Sequence, residues 1–188
     1  MKSTSTCIVG LVDKKGKIHM GGDSAGVSRL DVTTRADTKV FLKKTGVEKM
    51  IMGYTSSFRM GQLLRFKLQI PERPKDMGVY EYMVTVFIDA VRQCFKDGGF
   101  AEIKNDVESG GTFLVGYEKR LFVIYNDYQV GENVYPYDTC GCGDRYAFGS
   151  LHATHGLVKD PKKRVRMALK AAEEFSGGVK GPFVIKTL

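Results

Sequence analysis

Four residues near the start of the chain stand in an order that could do chemistry: a hydroxyl and a thiol at Thr6 and Cys7, a carboxylate at Asp23, and an amine at Lys39. A threonine hydroxyl is a poor nucleophile and needs a positioned base. An α-amine titrates at about pH 8, so a residue made N-terminal by removal of those before it brings its own base and needs no histidine. A lysine ammonium nearby holds down the pKa of that amine and stabilises negative charge growing on the hydroxyl. A carboxylate beside the lysine keeps it charged and oriented. The reaction this set suits is attack on a peptide or amide carbonyl, then hydrolysis of the acyl-enzyme by water.

Such groups work only if strands hold them. Thr6–Val12 reads as a strand, Asp13-Lys14-Lys15-Gly16 as a turn and Lys17–Gly22 as the returning strand, with Asp23 at its end. Further strands are predicted at Thr38–Lys43 and Lys49–Tyr54, and Thr55-Ser56-Ser57 offers caps for a helix running to Leu68. Pro71 and Pro74 precede a helix over Tyr80–Lys96, where Met83, Val86, Phe87, Ala90, Val91 and Cys94 share one apolar face. Gly110-Gly111 opens a second hairpin, Thr112–Tyr117 and Arg120–Asn126. Helices follow at Asp144–His155 and after Asp160, and the chain ends in a strand at Pro182–Lys186. Thr112-Phe-Leu-Val-Gly116 echoes Thr6-Cys-Ile-Val-Gly10. Two strand–turn–strand copies with helices after them predict two sheets face to face, covered by helices outside.

The 188 residues fit one domain with a substantial core. No apolar run is long enough to span a bilayer and the start lacks the apolar core of a secretory signal, so a cytoplasmic protein is expected. Cys7, Cys94, Cys140 and Cys142 do not form a disulfide framework. Cys140-Gly-Cys142 has no second Cys/His pair at zinc spacing, since His152 and His155 stand well downstream. The net charge of +8 is spread in small groups without interleaved aromatics, the pattern of a solvated surface and not of a nucleic-acid interface. His19, His152 and His155 are given no catalytic role. Neither cofactor nor metal is called for.

In their order these motifs resemble the N-terminal nucleophile hydrolases, and within them the proteasome β-subunit and HslV-like peptidases, over nearly the full length of the chain. Thr6-Cys-Ile-Val-Gly10 is similar to the family's Thr-Thr-x-Val-Gly opening strand, Gly21-Gly22-Asp23 to its Ala/Gly-x-Asp, and Lys39-Val40 to its lysine-plus-apolar pair. Lys49–Gly53 resembles the strand lining the substrate cleft. Gly141-Cys142-Gly143-Asp144-Arg-Tyr-Ala147 resembles a Gly-Ser-Gly turn leading into a Tyr-Ala helix, and Glu173-x-x-Ser176-Gly177 resembles Asp-x-x-Ser-Gly. The resemblance implies an α+β, four-layer αββα sandwich and a self-processed peptidase or amidohydrolase. It also implies a homo-oligomeric ring acting on peptide or protein, with an ATP-dependent unfoldase as a partner by analogy. Cys142, Glu173 and Ser176 then support the amine, and N–H groups of the Gly141–Gly143 turn, at a helix N-terminus, suit an oxyanion. Ser24, Ala25, Ile51 and Gly53 are the expected cleft lining.

The nucleophile stays open between two residues. The Val-Gly register points to Thr6, with one extra residue in the Asp13–Gly16 turn; the family's nucleophile-to-aspartate spacing points to Cys7. Thr6 is preferred because turns accept insertions more readily than paired strands accept slips, and Ser5 is a third choice. Cys142 and Glu173 depart from the family's serine and aspartate. Residues 1–5 are a candidate propeptide before a domain at 6–188. Lys2 is too large for methionine aminopeptidase, so autolysis is required. A rival reading is an unprocessed, inactive structural or binding subunit of the same fold.

Overall fold

The computed structural model describes residues 6–28, 31–46, 48–105 and 107–188. Residues 1–5, which include Ser5 and the candidate propeptide, lie outside the described residues.

Two antiparallel sheets form the centre. One has the order β12-β1-β2-β13, from Tyr137–Gly141, Cys7–Val12, Ile18–Gly22 and Val184–Thr187. The other has the order β11-β10-β9-β6-β5, from Val130–Gly131, Arg120–Ile124, Phe113–Tyr117, Glu48–Tyr54 and Val40–Thr45. The two echoed hairpins therefore lie in different sheets, as the repeat predicts. Helices α4 (Asp144–Ala153) and α5 (Pro161–Phe175) cover the first sheet. The second is covered by α1 (Phe58–Gln62) with its π-wound continuation Leu63–Lys67, and by α2 (Val79–Tyr82), a π-wound stretch Met83–Phe87 and α3 (Ile88–Asp97), wound as one rod. The layers run helix, sheet, sheet, helix.

Strand alternation assigns the residues to these layers. In β1, Cys7, Val9 and Leu11 face α4 and α5, while Ile8 faces the other sheet. In β6, Met50, Met52 and Tyr54 face the α1–α3 layer and Ile51 faces inward. The space between the sheets is thin and apolar, filled by Ile8, Ile18, Met20, Val40, Ile51, Leu114 and Leu121. It closes because glycines stand where the sheets touch: a Cβ on Gly53 would lie 2.5 Å from Ile8 Cγ2.

That packing corrects one expectation. Ile51 is fully buried and Gly53 is pressed against Ile8, Met20 and Val40, so neither lines an open cleft. Four features carried no readable signal: the hairpin β3–β4 (Ala25–Ser28, Asp31–Thr34), the hairpin β7–β8 (Glu102–Lys104, Val107–Ser109), the two-residue β11, and β12, which pairs with β1 along its length. No helix among the described residues is long and apolar enough to cross a membrane.

Candidate active site

Thr6 immediately precedes β1, where the first sheet meets the turn between β12 and α4. Its carbonyl accepts from Gly143 N at 3.4 Å, and Cys7 N donates to Asp23 Oδ1 at 3.0 Å, so its backbone is anchored on both sides. Asp23 follows β2, the hairpin partner of β1, and its N–H extends the ladder to Cys7 O. Its second oxygen accepts from Ala25 N at 2.9 Å, which fixes the carboxylate plane. Lys39 immediately precedes β5 in the opposite sheet and its carbonyl accepts from Tyr54 N. The two sheets thus deliver the acid and the lysine from opposite sides.

They meet at the Lys39 ammonium. Nζ donates to Thr6 Oγ1 at 2.9 Å and to both oxygens of Asp23 at 3.1 Å. Thr6, Asp23 and Lys39 are 3%, 2% and 1% exposed, so bulk water is excluded and each interaction is stronger than it would be on a surface. Burial lowers the pKa of Lys39 from the ordinary lysine value, with Asp23 opposing that shift by charge and by hydrogen bonding. Asp23 accepts four hydrogen bonds in all, enough to keep a desolvated carboxylate satisfied.

On the other side of Thr6, its N–H donates to Cys142 Sγ at 3.3 Å, and that sulfur lies 3.2 Å from Ser176 Oγ. Cys142 comes from the turn before α4 and Ser176 caps the end of α5. The structure therefore brings Thr6, Asp23, Lys39, Cys142 and Ser176 together around one residue. Thr6 carries its hydroxyl to Lys39. Cys7 instead points into the α4–α5 layer, where burial pushes its thiol pKa well up and keeps it protonated.

Five other expected site residues do different work. The Glu173 carboxylate is turned away from Ser176: it accepts from Lys170 Nζ and from Gly181 N at 2.7 and 2.8 Å, and these contacts lower its pKa. Gly143 N is directed at the Thr6 carbonyl, and Gly141 pairs with Cys7 in the ladder, so these glycines hold the backbone of Thr6 and Cys7. Ser24 is buried, donating from Oγ to Pro182 O and from N to Lys180 O, and it pins the chain after Asp23. Ala25 supplies the N–H that aligns Asp23.

Gly141 has φ +110°, a conformation that L side chains rarely adopt, and a Cβ there would lie 2.2 Å from Thr6 O. Gly141→Ala should destabilise the fold by about 2–4 kcal/mol, through strain and displacement of Thr6. Gly149→Ala, in α4 with nothing within 4 Å of the new methyl, should be neutral or stabilising. Thermal melts of the two variants check the contrast.

Sequence reasoning missed the rim. The Arg35 guanidinium stacks on Phe58 at 4.3 Å and pairs with Asp37 at 2.7 Å, while Lys39 Nζ lies 5.6 Å from the same ring. Thr55, 2% exposed beside Gly141, has a hydroxyl with no hydrogen-bond partner among the described residues. Strand alternation around Lys39-Val40 could have placed Asp37 on the lysine's side; nothing in the sequence distinguishes Thr55 from a helix cap. Among the described residues no group of three or more His, Cys, Asp or Glu side chains is placed to hold a metal ion.

No protein-family model and no curated protein matches the chain. Solved structures do. BPH from Thiobacillus denitrificans, solved in complex with epoxomicin, superposes with a TM-score of 0.75 at 18% identity, covering 96% of this chain and 97% of that one. Eukaryotic HslV from Trypanosoma brucei gives 0.65 at 14% identity over 97% and 98%. Anbu, described as an ancestral β-subunit, from Yersinia bercovieri gives 0.64 at 18% over 96% and 80%. With its four layers, and with these structures covering nearly its whole length, the chain has the fold of the proteasome-like N-terminal nucleophile hydrolases.

Proposed function

We propose that the protein is an N-terminal nucleophile hydrolase that cleaves peptide or amide bonds, with Thr6 as nucleophile after removal of residues 1–5. The observation that carries this reading is the buried Lys39 ammonium, held by Asp23 and donating to Thr6 Oγ1 at 2.9 Å. The released α-amine takes the hydroxyl proton as Oγ1 attacks the carbonyl; the Lys39 ammonium stabilises the negative charge growing on the oxygen and keeps the amine unprotonated and ready to act as base. Cys142 and Ser176 position the amine through the contact now made by the Thr6 N–H. The α-amine then activates water to release the acyl group. The backbone anchors at Thr6 O and Cys7 N lie beyond the bond to be cut, so the nitrogen keeps its place after processing. No cofactor takes part, and the assembly expected with this activity is a homo-oligomer.

Intact-mass measurement of the purified protein tests the reading, together with an epoxyketone probe of the class seen bound in the BPH complex. A chain shortened by residues 1–5 that reacts covalently with the probe supports it. A persistent full-length mass with no probe reaction sinks it and favours the inactive subunit, a reading to which the diverted Glu173 carboxylate lends weight.

The lysine gives a pH test. Activity needs the ammonium, which is lost as pH rises through its lowered pKa. The alkaline limb of kcat/KM should therefore begin below the pH at which an ordinary lysine titrates. Stability should move the other way over that interval, because the unfolded chain holds the proton that the folded one has released. Parallel rate and denaturation profiles check the opposite signs.

A further inference from the structure

Cys142 is the exposed member of the four cysteines; Cys7, Cys94 and Cys140 are buried, and burial pushes their thiols up. An oxidant in solution therefore meets Cys142 first. Cys142 stands just before Gly143, the N-cap of the ten-residue α4. The buried Lys39 ammonium belongs to the same cluster.

The neighbour of that sulfur decides what oxidation would do. Sγ lies 3.3 Å from the Thr6 nitrogen, and the anchors at Thr6 O and Cys7 N hold the nitrogen there. A sulfenic acid this close to a nitrogen condenses with it. We propose that under oxidising conditions Cys142 Sγ and the α-nitrogen of processed Thr6 form a reversible sulfur–nitrogen bond that switches the hydrolase off. The inference rests on the function proposed above, because only processing turns this nitrogen into an amine.

The steps balance with a peroxide as oxidant. The thiol sulfur attacks the peroxide, an S–O bond forms, the O–O bond breaks and one water leaves. Sulfur is oxidised by two electrons and the peroxide is reduced. The amine lone pair then attacks sulfur, forming S–N as S–O breaks, and a second water leaves. The nitrogen has exchanged an N–H for the bond to sulfur; the lone pair it keeps is far less basic beside that substituent and is pinned to Cys142, so the general base is lost. Two equivalents of a thiol reverse it. The first attacks sulfur and releases the amine, and the second regenerates the Cys142 thiol and leaves the reductant as its disulfide.

The test uses the processed protein, hydrogen peroxide and intact-mass spectrometry. The expected product is about 2 Da lighter, with epoxyketone labelling reduced at least about tenfold and both restored by dithiothreitol. In Cys142→Ser, whatever its starting rate, labelling before and after peroxide should be equal. A processed protein whose mass and labelling ignore peroxide overturns the proposal. So does a stable gain of about 16 or 32 Da in place of the loss, which is the product of oxidation without bridging. Equal peroxide sensitivity in Cys142→Ser overturns it as well. A chain found full-length and unlabelled before any oxidant is added is a separate result: it removes the proposed function, and the bridge falls with it.

Discussion

Lys39→Met is expected to lower turnover by about a hundred- to ten-thousand-fold, the range for loss of a group that stabilises charge and proton transfer at a reacting centre. It should also destabilise the fold by about 3–5 kcal/mol, because Asp23 is left as a buried carboxylate without its cation. Lost activity could then reflect lost structure, and a double variant separates the two. Asp23→Asn with Lys39→Met removes both charges and should recover part of the stability. Recovery is partial because Asn offers one oxygen to the two backbone donors, Cys7 N and Ala25 N. Activity should not recover at all. A folded double variant with near wild-type turnover would show that the ion pair is structural only. Chemical denaturation and steady-state rates on the three proteins supply the comparison.

The second large effect concerns the nucleophile. On the proposed function, Thr6→Ala should leave the chain at full length and without probe labelling, because that reading makes Oγ1, the group that Lys39 holds, the attacking group in processing as well. Cys7→Ala should be processed and labelled. Its cost should be in stability, about 1–2 kcal/mol for a small cavity among Val165, Ala168 and Ala172. Reversal of the two outcomes would move the nucleophile to Cys7. Thr6→Ser should keep both processing and labelling, because the hydroxyl is retained and only a methyl is lost. Intact masses of the three variants, before and after the probe, decide the assignment.

Much of this arrangement was legible in the residues. Alternation in Cys7–Val12 and Glu48–Tyr54 gave strands with two different faces, and the echo at Thr112–Gly116 gave the second sheet. Asp23 and Lys39 could be picked out because each terminates or opens a strand beside a glycine or β-branched residue. What could not be read was direction. Glu173 stands three residues from Ser176, yet Lys170 on the preceding turn and the chain at Gly181 draw its carboxylate away. Ile51 and Gly53 sit on the strand expected to line the cleft, but on its inward face. The strand β12 carries Asp138 and Thr139 and ends on Gly141, so it has no apolar alternation to announce it. It becomes a strand because β1 offers an edge to pair with. The rim formed by Arg35, Asp37 and Phe58 depends on a stacking contact across the chain that no local pattern encodes.

The pairing of β1 with β12 also sets a clock. The nitrogen of Thr6 and the sulfur of Cys142 are 136 positions apart, whereas Asp23 and Lys39 lie 16 apart and Thr6 and Lys39 lie 33 apart. Contacts of long sequence separation close late, because loop entropy must be spent before they form. A chain emerging from the ribosome can bring Asp23 and Lys39 together early, but the Thr6 nitrogen meets Cys142 only after β12 has joined the sheet. On the function proposed above, the site is complete only when the sheet that holds it is complete.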